Sequence, residues 1–158
     1  YVMIQNERFG GRIKLELNLN QETLECNVPK LILQPLAENA FAYGFSEKTG
    51  ECKLTVESCI TEDDNLLIKV IDNGVGFTED RLNEIRNTLR RDTDNSLRQH
   101  SHIGLSNVHT RIRLCSNSEK YGISINSTYC NGTEISMLLK KEIGEGGQVD
   151  VQGSDYRR

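Results

Sequence analysis

The chain has 158 residues, 36% of them hydrophobic and 27% charged, an ordinary balance for one soluble globular domain with a sizeable core. Its net charge of −4 gives no footprint for nucleic acid, though an anion can still bind at a local positive site. No run approaches the ~18 consecutive apolar residues of a membrane span, so this chain is not expected to insert into a bilayer itself.

The first residue is Tyr1 and no signal-peptide pattern follows, so the chain is expected to be a piece of something longer. The five cysteines (Cys26, Cys52, Cys59, Cys115, Cys130) are odd in number and lack CxxC spacing. That argues for reduced cytosolic thiols over disulfides or a zinc site, with those in strand-like runs serving as small core residues.

In chain order, residues 1–9 read as the end of a helix stopped by Gly10-Gly11. IKLELNL, residues 13–19, alternates apolar and polar and predicts a half-buried strand. Val28-Pro29 opens a helical run through LILQPLAENAFAYGF, with Pro29 suited to a first helical position and Pro35 expected to kink the run or restart it. Residues 52–60 and 66–71 predict paired strands around the polar turn 62–65. Thr78 is a predicted N-cap for a helix to about Leu89. Residues 90–102 lack periodicity and read as a long mobile loop. A helix over about 104–115 follows, then strands near 121–128 and 133–140, and a Gly-rich tail from Gly144 expected to be disordered. Helices and strands without strict βαβ alternation predict an α+β fold: a two-layer sandwich, one mixed and mostly antiparallel sheet covered on one face by helices.

Three stretches invite chemistry. Asp72-Asn73-Gly74-Val75-Gly76 ends a buried strand. Read alone it is a turn, with Asp and Asn bonding local backbone and Gly supplying positive φ. It also suits an adenine pocket, because an ionised Asp accepts from the exocyclic amino group while glycines let backbone approach a flat ring. Ile103-Gly104-Leu105-Ser106-Asn107-Val108 opens a helix, either as a plain entrance or as free N–H groups suited to phosphate. Asn131-Gly132-Thr133 by itself is a hairpin turn.

Taken in series, an Asn-bearing helix, DNGxG, a loop ending in GL before a helix, and a GT turn resemble the Bergerat ATP-binding superfamily. Its members include histidine kinases, type II topoisomerases, 90-kDa heat-shock chaperones and mismatch-repair ATPases. IQNERF at residues 4–9, Pro29, LQPLAENA at residues 33–40 and GLSNV at residues 104–108 are similar to the catalytic domain of LytS/YesM-type sensor histidine kinases. The likeness covers about residues 1–140.

That resemblance implies the following. Residues 1–10 end an upstream linker helix, 11–143 form the catalytic domain, and 144–158 are a tail. Asn39 takes the N-box position, where an amide oxygen ligates Mg²⁺ bridging the phosphates of ATP. Tyr43, Asp72, Gly74, Gly76, His102, Gly104, Leu105, Asn107 and Thr133 join it around the nucleotide, and residues 90–102 form a lid. Glu38 either orients or deprotonates an incoming imidazole, or stands behind the metal as a supporting carboxylate. Arg111 faces the phosphates or is a solvated surface charge.

Water-activating relatives carry Glu four residues before the Asn, where this chain has Pro35, which disfavours ATP hydrolysis. The phosphoacceptor histidine is implied to lie on a dimerisation domain outside this chain, since His100, His102 and His109 lack its context. A response regulator would receive the phosphate downstream, and the parent would be membrane-anchored with this domain in the cytoplasm. Two departures stand out: His102 replaces the first glycine of the GxGL pattern, and Ala42-Tyr43 replaces Lys-His. They keep a second reading open, a degenerate nucleotide-sensing or protein-interaction module.

Overall fold

The computed structural model describes residues 1–91 and 103–143. There the alternating runs become β1 (Ile13–Leu19), β2 (Cys52–Ile60), β3 (Asn65–Asp72), β4 (Gly122–Ser127) and β5 (Thr133–Lys140), joined in the order β1-β2-β3-β5-β4. β1 runs parallel to β2, and every other neighbouring pair is antiparallel.

Register explains the layering. Val56, Val70 and Ile135 stand side by side, as do Ser58, Ile68 and Met137, so one face collects the apolar residues of β2, β3 and β5. Helices α2 (Gln34–Asn39), α3 (Glu79–Arg91) and α4 (Ile103–Ser116) cover that face with Leu36, Leu82, Ile85, Leu105 and Ile112, all at most 2% exposed. Each such side chain is worth about 1.5–3 kcal/mol of burial. The opposite face carries ion pairs, Glu16 with Lys14 and Lys53, and Lys69 with Glu134. This is the two-layer sandwich that the patterning predicts.

Several local expectations need correction. α1 (Val2–Arg8) does end at Gly10-Gly11, both at positive φ. β1 has the predicted bounds but is an edge strand that the helices do not reach, so Ile13 is buried while Leu15, Leu17 and Leu19 are exposed. Pro29 starts no helix: residues 27–33 form a loop, with Leu31 at φ 62°, and the helix begins at Gln34 with Pro35 in its first turn. There the missing proline N–H costs nothing. After Asn39 the chain widens into a π-helical turn, Ala40–Gly44, closed by Phe45 N–H donating to Ala40 O at 2.8 Å. Arg90 and Arg91 belong to α3, and the rest of the expected loop, with the tail from 144, lies outside the described residues. All five cysteines are free, but only Cys52 is buried, so Cys59 on the ion-pair face of β2 is not core.

Candidate nucleotide site

β3 delivers Asp72 at its last residue, and the register sets it beside Thr133 at the start of β5. α2 delivers Asn39 at its last residue, and the π turn that follows swings Tyr43 and Gly44 toward the same point. Together with Gly76 and Leu105 these residues line one small cavity. π turns often occur at functional sites because the extra residue re-aims side chains.

The glycines explain how the two segments meet. Val75 N–H donates to Gly44 O at 2.9 Å, and a methyl group on Gly74 would sit 2.4 Å from Gly44 Cα. Gly74 is therefore required by a backbone-to-backbone approach rather than by a turn. Gly76 is required twice over, by φ 64° and by Thr128 O standing 2.2 Å from where its Cβ would be.

Asp72 is buried, and its Oδ1 accepts the Gly74 N–H at 2.8 Å. Burial pushes its carboxyl up from 3.8 to about 6, with the backbone amides of Gly74 and Thr133 and the charge of Lys48 pulling the other way. It is thus mainly ionised at neutral pH, with acceptor capacity facing a largely apolar cavity. Ser127 Oγ stitches the far side, accepting from Phe77 N–H at 2.9 Å and donating to Gly132 O at 2.8 Å.

The other predicted residues scatter. Glu38 is exposed, does not line the cavity, and accepts from Gln34 Nε2 at 2.9 Å. Gly104 is the second residue of α4, where an added Cβ would lie 3.3 Å from Pro35 Cβ, and Asn107 is exposed on the next turn. His102 lies outside the described residues. Arg111 faces away to donate to Lys30 O at 2.7 Å, tying α4 to the 27–33 loop. The cavity also has walls that sequence reading missed: Gly44, Phe77 and Ile135. Phe77 was findable, since a large apolar residue directly after DNGVG has no strand to belong to; its ring lies 6.3 Å from that of Tyr43.

No group of three or more His, Cys, Asp or Glu among the described residues is placed to hold a metal. Asn39 remains, half-buried in the cavity wall, its side chain without a hydrogen-bond partner among the described residues. One free carboxamide oxygen suits a hard cation that takes its other ligands from phosphate and water.

Fold and cavity together define a two-layer α/β sandwich with a candidate ligand site where β3, β5 and the end of α2 meet. The chain belongs to the histidine kinase-, DNA gyrase B-, and HSP90-like ATPase family, which it matches over residues 27–143. It is 29% identical over 154 residues to the sensor protein LytS of Bacillus subtilis, covering 97% of this chain and 25% of that protein. It is 34% identical over 114 residues to the sensor protein kinase HptS of Staphylococcus aureus, covering 72% of this chain and 21% of that protein. The chain thus spans a quarter or less of these curated relatives. Among solved structures it superposes on the catalytic domain of histidine kinase ThkA with a TM-score of 0.61 at 18% identity, covering 89% of this chain and 88% of that one. The histidine kinase domain of an Erythrobacter litoralis blue-light activated histidine kinase gives 0.55 at 17% identity, covering 88% and 57%. At those identities the superpositions speak to fold alone.

Proposed function

We propose that this chain is the ATP-binding catalytic domain of a two-component sensor histidine kinase, residues 11–143, preceded by the end of a linker helix and followed by a tail from 144. The observation that carries the reading is a buried carboxylate, Asp72, sharing one cavity with the amide of Asn39, which has no hydrogen-bond partner among the described residues. Family membership and the sensor-kinase relatives support it.

The roles follow from the chemistry. Asp72 accepts the adenine amino group, at a pocket that Tyr43, Phe77 and Leu105 line beside the contact of Gly44 with Gly74. Thr133 and Gly76 close the base end. The first turn of α4, at Gly104 and Leu105, turns free N–H groups toward phosphate, with His102 and Asn107 on either side of it in the chain. Asn39 is the residue that would hold Mg²⁺, which when bound neutralises phosphate charge.

Phosphoryl transfer is chiefly positioning and charge stabilisation, so the domain's task is to hold the γ-phosphate in line with a nucleophile. That nucleophile is a histidine on the parent's dimerisation domain. Within the described residues His109 is unsuited, being 6% exposed with Nδ1 accepting the Ile123 N–H at 2.9 Å. Glu38, exposed and held by Gln34, is accessible to an imidazole arriving from outside. The phosphate then passes to a response regulator, and the parent is membrane-anchored with this domain in the cytoplasm.

The test is phosphotransfer in trans. Incubated alone with labelled ATP the chain should gain no acid-labile phosphate; mixed with the histidine-bearing domain of its parent, it should label that domain. ATP binding without any transfer would favour a nucleotide-sensing module instead.

A further inference from the structure

We propose that Lys48 is a positioning residue for the Asp72 carboxylate and that Arg12 holds it in place, so that the junction between α1 and β1 sets adenine-nucleotide affinity. The inference rests on the nucleotide reading of the Asp72 site.

One peptide unit links Lys48 to Asp72. Lys48 Nζ donates to Asn73 O at 2.5 Å, and the N–H of that same peptide plane, on Gly74, donates to Asp72 Oδ1 at 2.8 Å. A cation on the carbonyl end orients the plane and polarises its N–H toward the carboxylate. The same segment grips Asn73 from two further sides: Lys53 N–H donates to Asn73 Oδ1 at 2.7 Å, and Asn73 Nδ2 donates to Glu51 O at 3.3 Å. Lys48 is also the charged side chain whose field opposes the burial of Asp72; Gly74 and Thr133 contribute only backbone amides there.

Lys48 is anchored in turn. Arg12 Nη1 donates to Lys48 O at 3.0 Å and to Gly50 O at 3.2 Å, while its Nε donates to Phe9 O at 3.1 Å. Phe9 follows α1, and its ring lies 6.0 Å from that of Phe41 in the π turn beside Asn39. The end of α1 therefore touches both halves of the site, the base end through Arg12 and Lys48 and the Asn39 end through Phe9 and Phe41. A shift of the helix entering Val2 would be felt at both.

Two measurements on the full chain decide the matter, using Lys48→Met, Lys48→Arg and Arg12→Gln. The first needs no nucleotide: carboxyl carbon NMR titration of Asp72, whose midpoint should rise in Lys48→Met and return in Lys48→Arg. A lysine that merely closed a loop would leave that midpoint where it is, and an unmoved midpoint overturns the proposal. The second is calorimetric titration with Mg²⁺ and a non-hydrolysable ATP analogue at pH 7. Lys48→Met should bind roughly tenfold more weakly, the worth of one charge-assisted hydrogen bond, with Lys48→Arg near wild type and Arg12→Gln between them. Equal affinity in Lys48→Met and wild type also overturns the proposal. Wild-type protein that bound no analogue would sink the nucleotide reading, while the carboxyl titration would still judge whether Lys48 acts on Asp72.

Discussion

Replacing Asp72 with Asn should make the protein more stable while abolishing its proposed activity. Burial raises the Asp72 carboxyl from 3.8 to about 6, so between those values the folded state keeps a proton that the unfolded state has released. Stability contributed by this group is therefore full below pH ~4 and is lost as pH rises through about 6. At about 1.4 kcal/mol per pH unit, keeping the charged form folded costs roughly 3 kcal/mol at pH 8. Asp72→Asn carries no charge at any pH and still offers an oxygen to the Gly74 N–H, but its new NH₂ faces donors. The net gain at pH 8 should then be about 1–2 kcal/mol, a rise of a few degrees in Tm. Urea unfolding at pH 4, 6 and 8 reads this directly: the mutant's advantage should be present at pH 8 and shrink toward pH 4. Loss of stability at pH 8, or an advantage independent of pH, would refute the reasoning. Calorimetry on the same samples should find adenine-nucleotide binding weakened at least ~100-fold, because a donor would face a donor.

Three further outcomes are expected. In Asn39→Ala, nucleotide affinity should lose its dependence on Mg²⁺, checked by titrations with and without the ion; an undiminished difference would remove Asn39 from the site. Gly74→Ala places a methyl 2.4 Å from Gly44 Cα, so thermal unfolding should show a loss of more than ~2 kcal/mol and the cavity should deform. Leu105→Ala empties a side chain that is 1% exposed under the cavity wall, which should cost about 2–5 kcal/mol in a denaturant titration.

Strands were the most legible elements because their period survives burial: IKLELNL and CKLTVESCI have the bounds that alternation predicts. Burial itself was less so, since alternation shows which face Leu15 and Leu17 share but not that β1 overhangs the helices. The helical run from Val28 failed on a backbone feature no composition displays, a leucine at positive φ, and the π turn at Ala40–Gly44 is silent in the sequence because it uses ordinary residues. The site was legible where chemistry selects residue type. Asp72, Asn39 and Thr133 do converge, but Gly44 was invisible because its reason is a contact with Gly74, distant in sequence. Glu38, adjacent to Asn39 in sequence, is exposed outside the cavity and bonded to Gln34, since neighbours on a helix point in different directions.

The parallel pairing of β1 with β2 has a consequence for the order of folding. β2 and β3 are joined by the tight turn at 61–64, and β4 and β5 by the turn at 128–132, so these antiparallel pairs close early and locally. β1 can pair only after the chain between 20 and 51 has crossed over the sheet, and that crossover contains α2 and the π turn bearing Asn39, Tyr43 and Gly44. One half of the cavity is thus the crossover that joins β1 to the strand it pairs with. Ligand seated there should act as a latch on the sheet's edge, slowing amide exchange in β1 more than in the β2–β3 hairpin, although no residue of β1 lines the cavity.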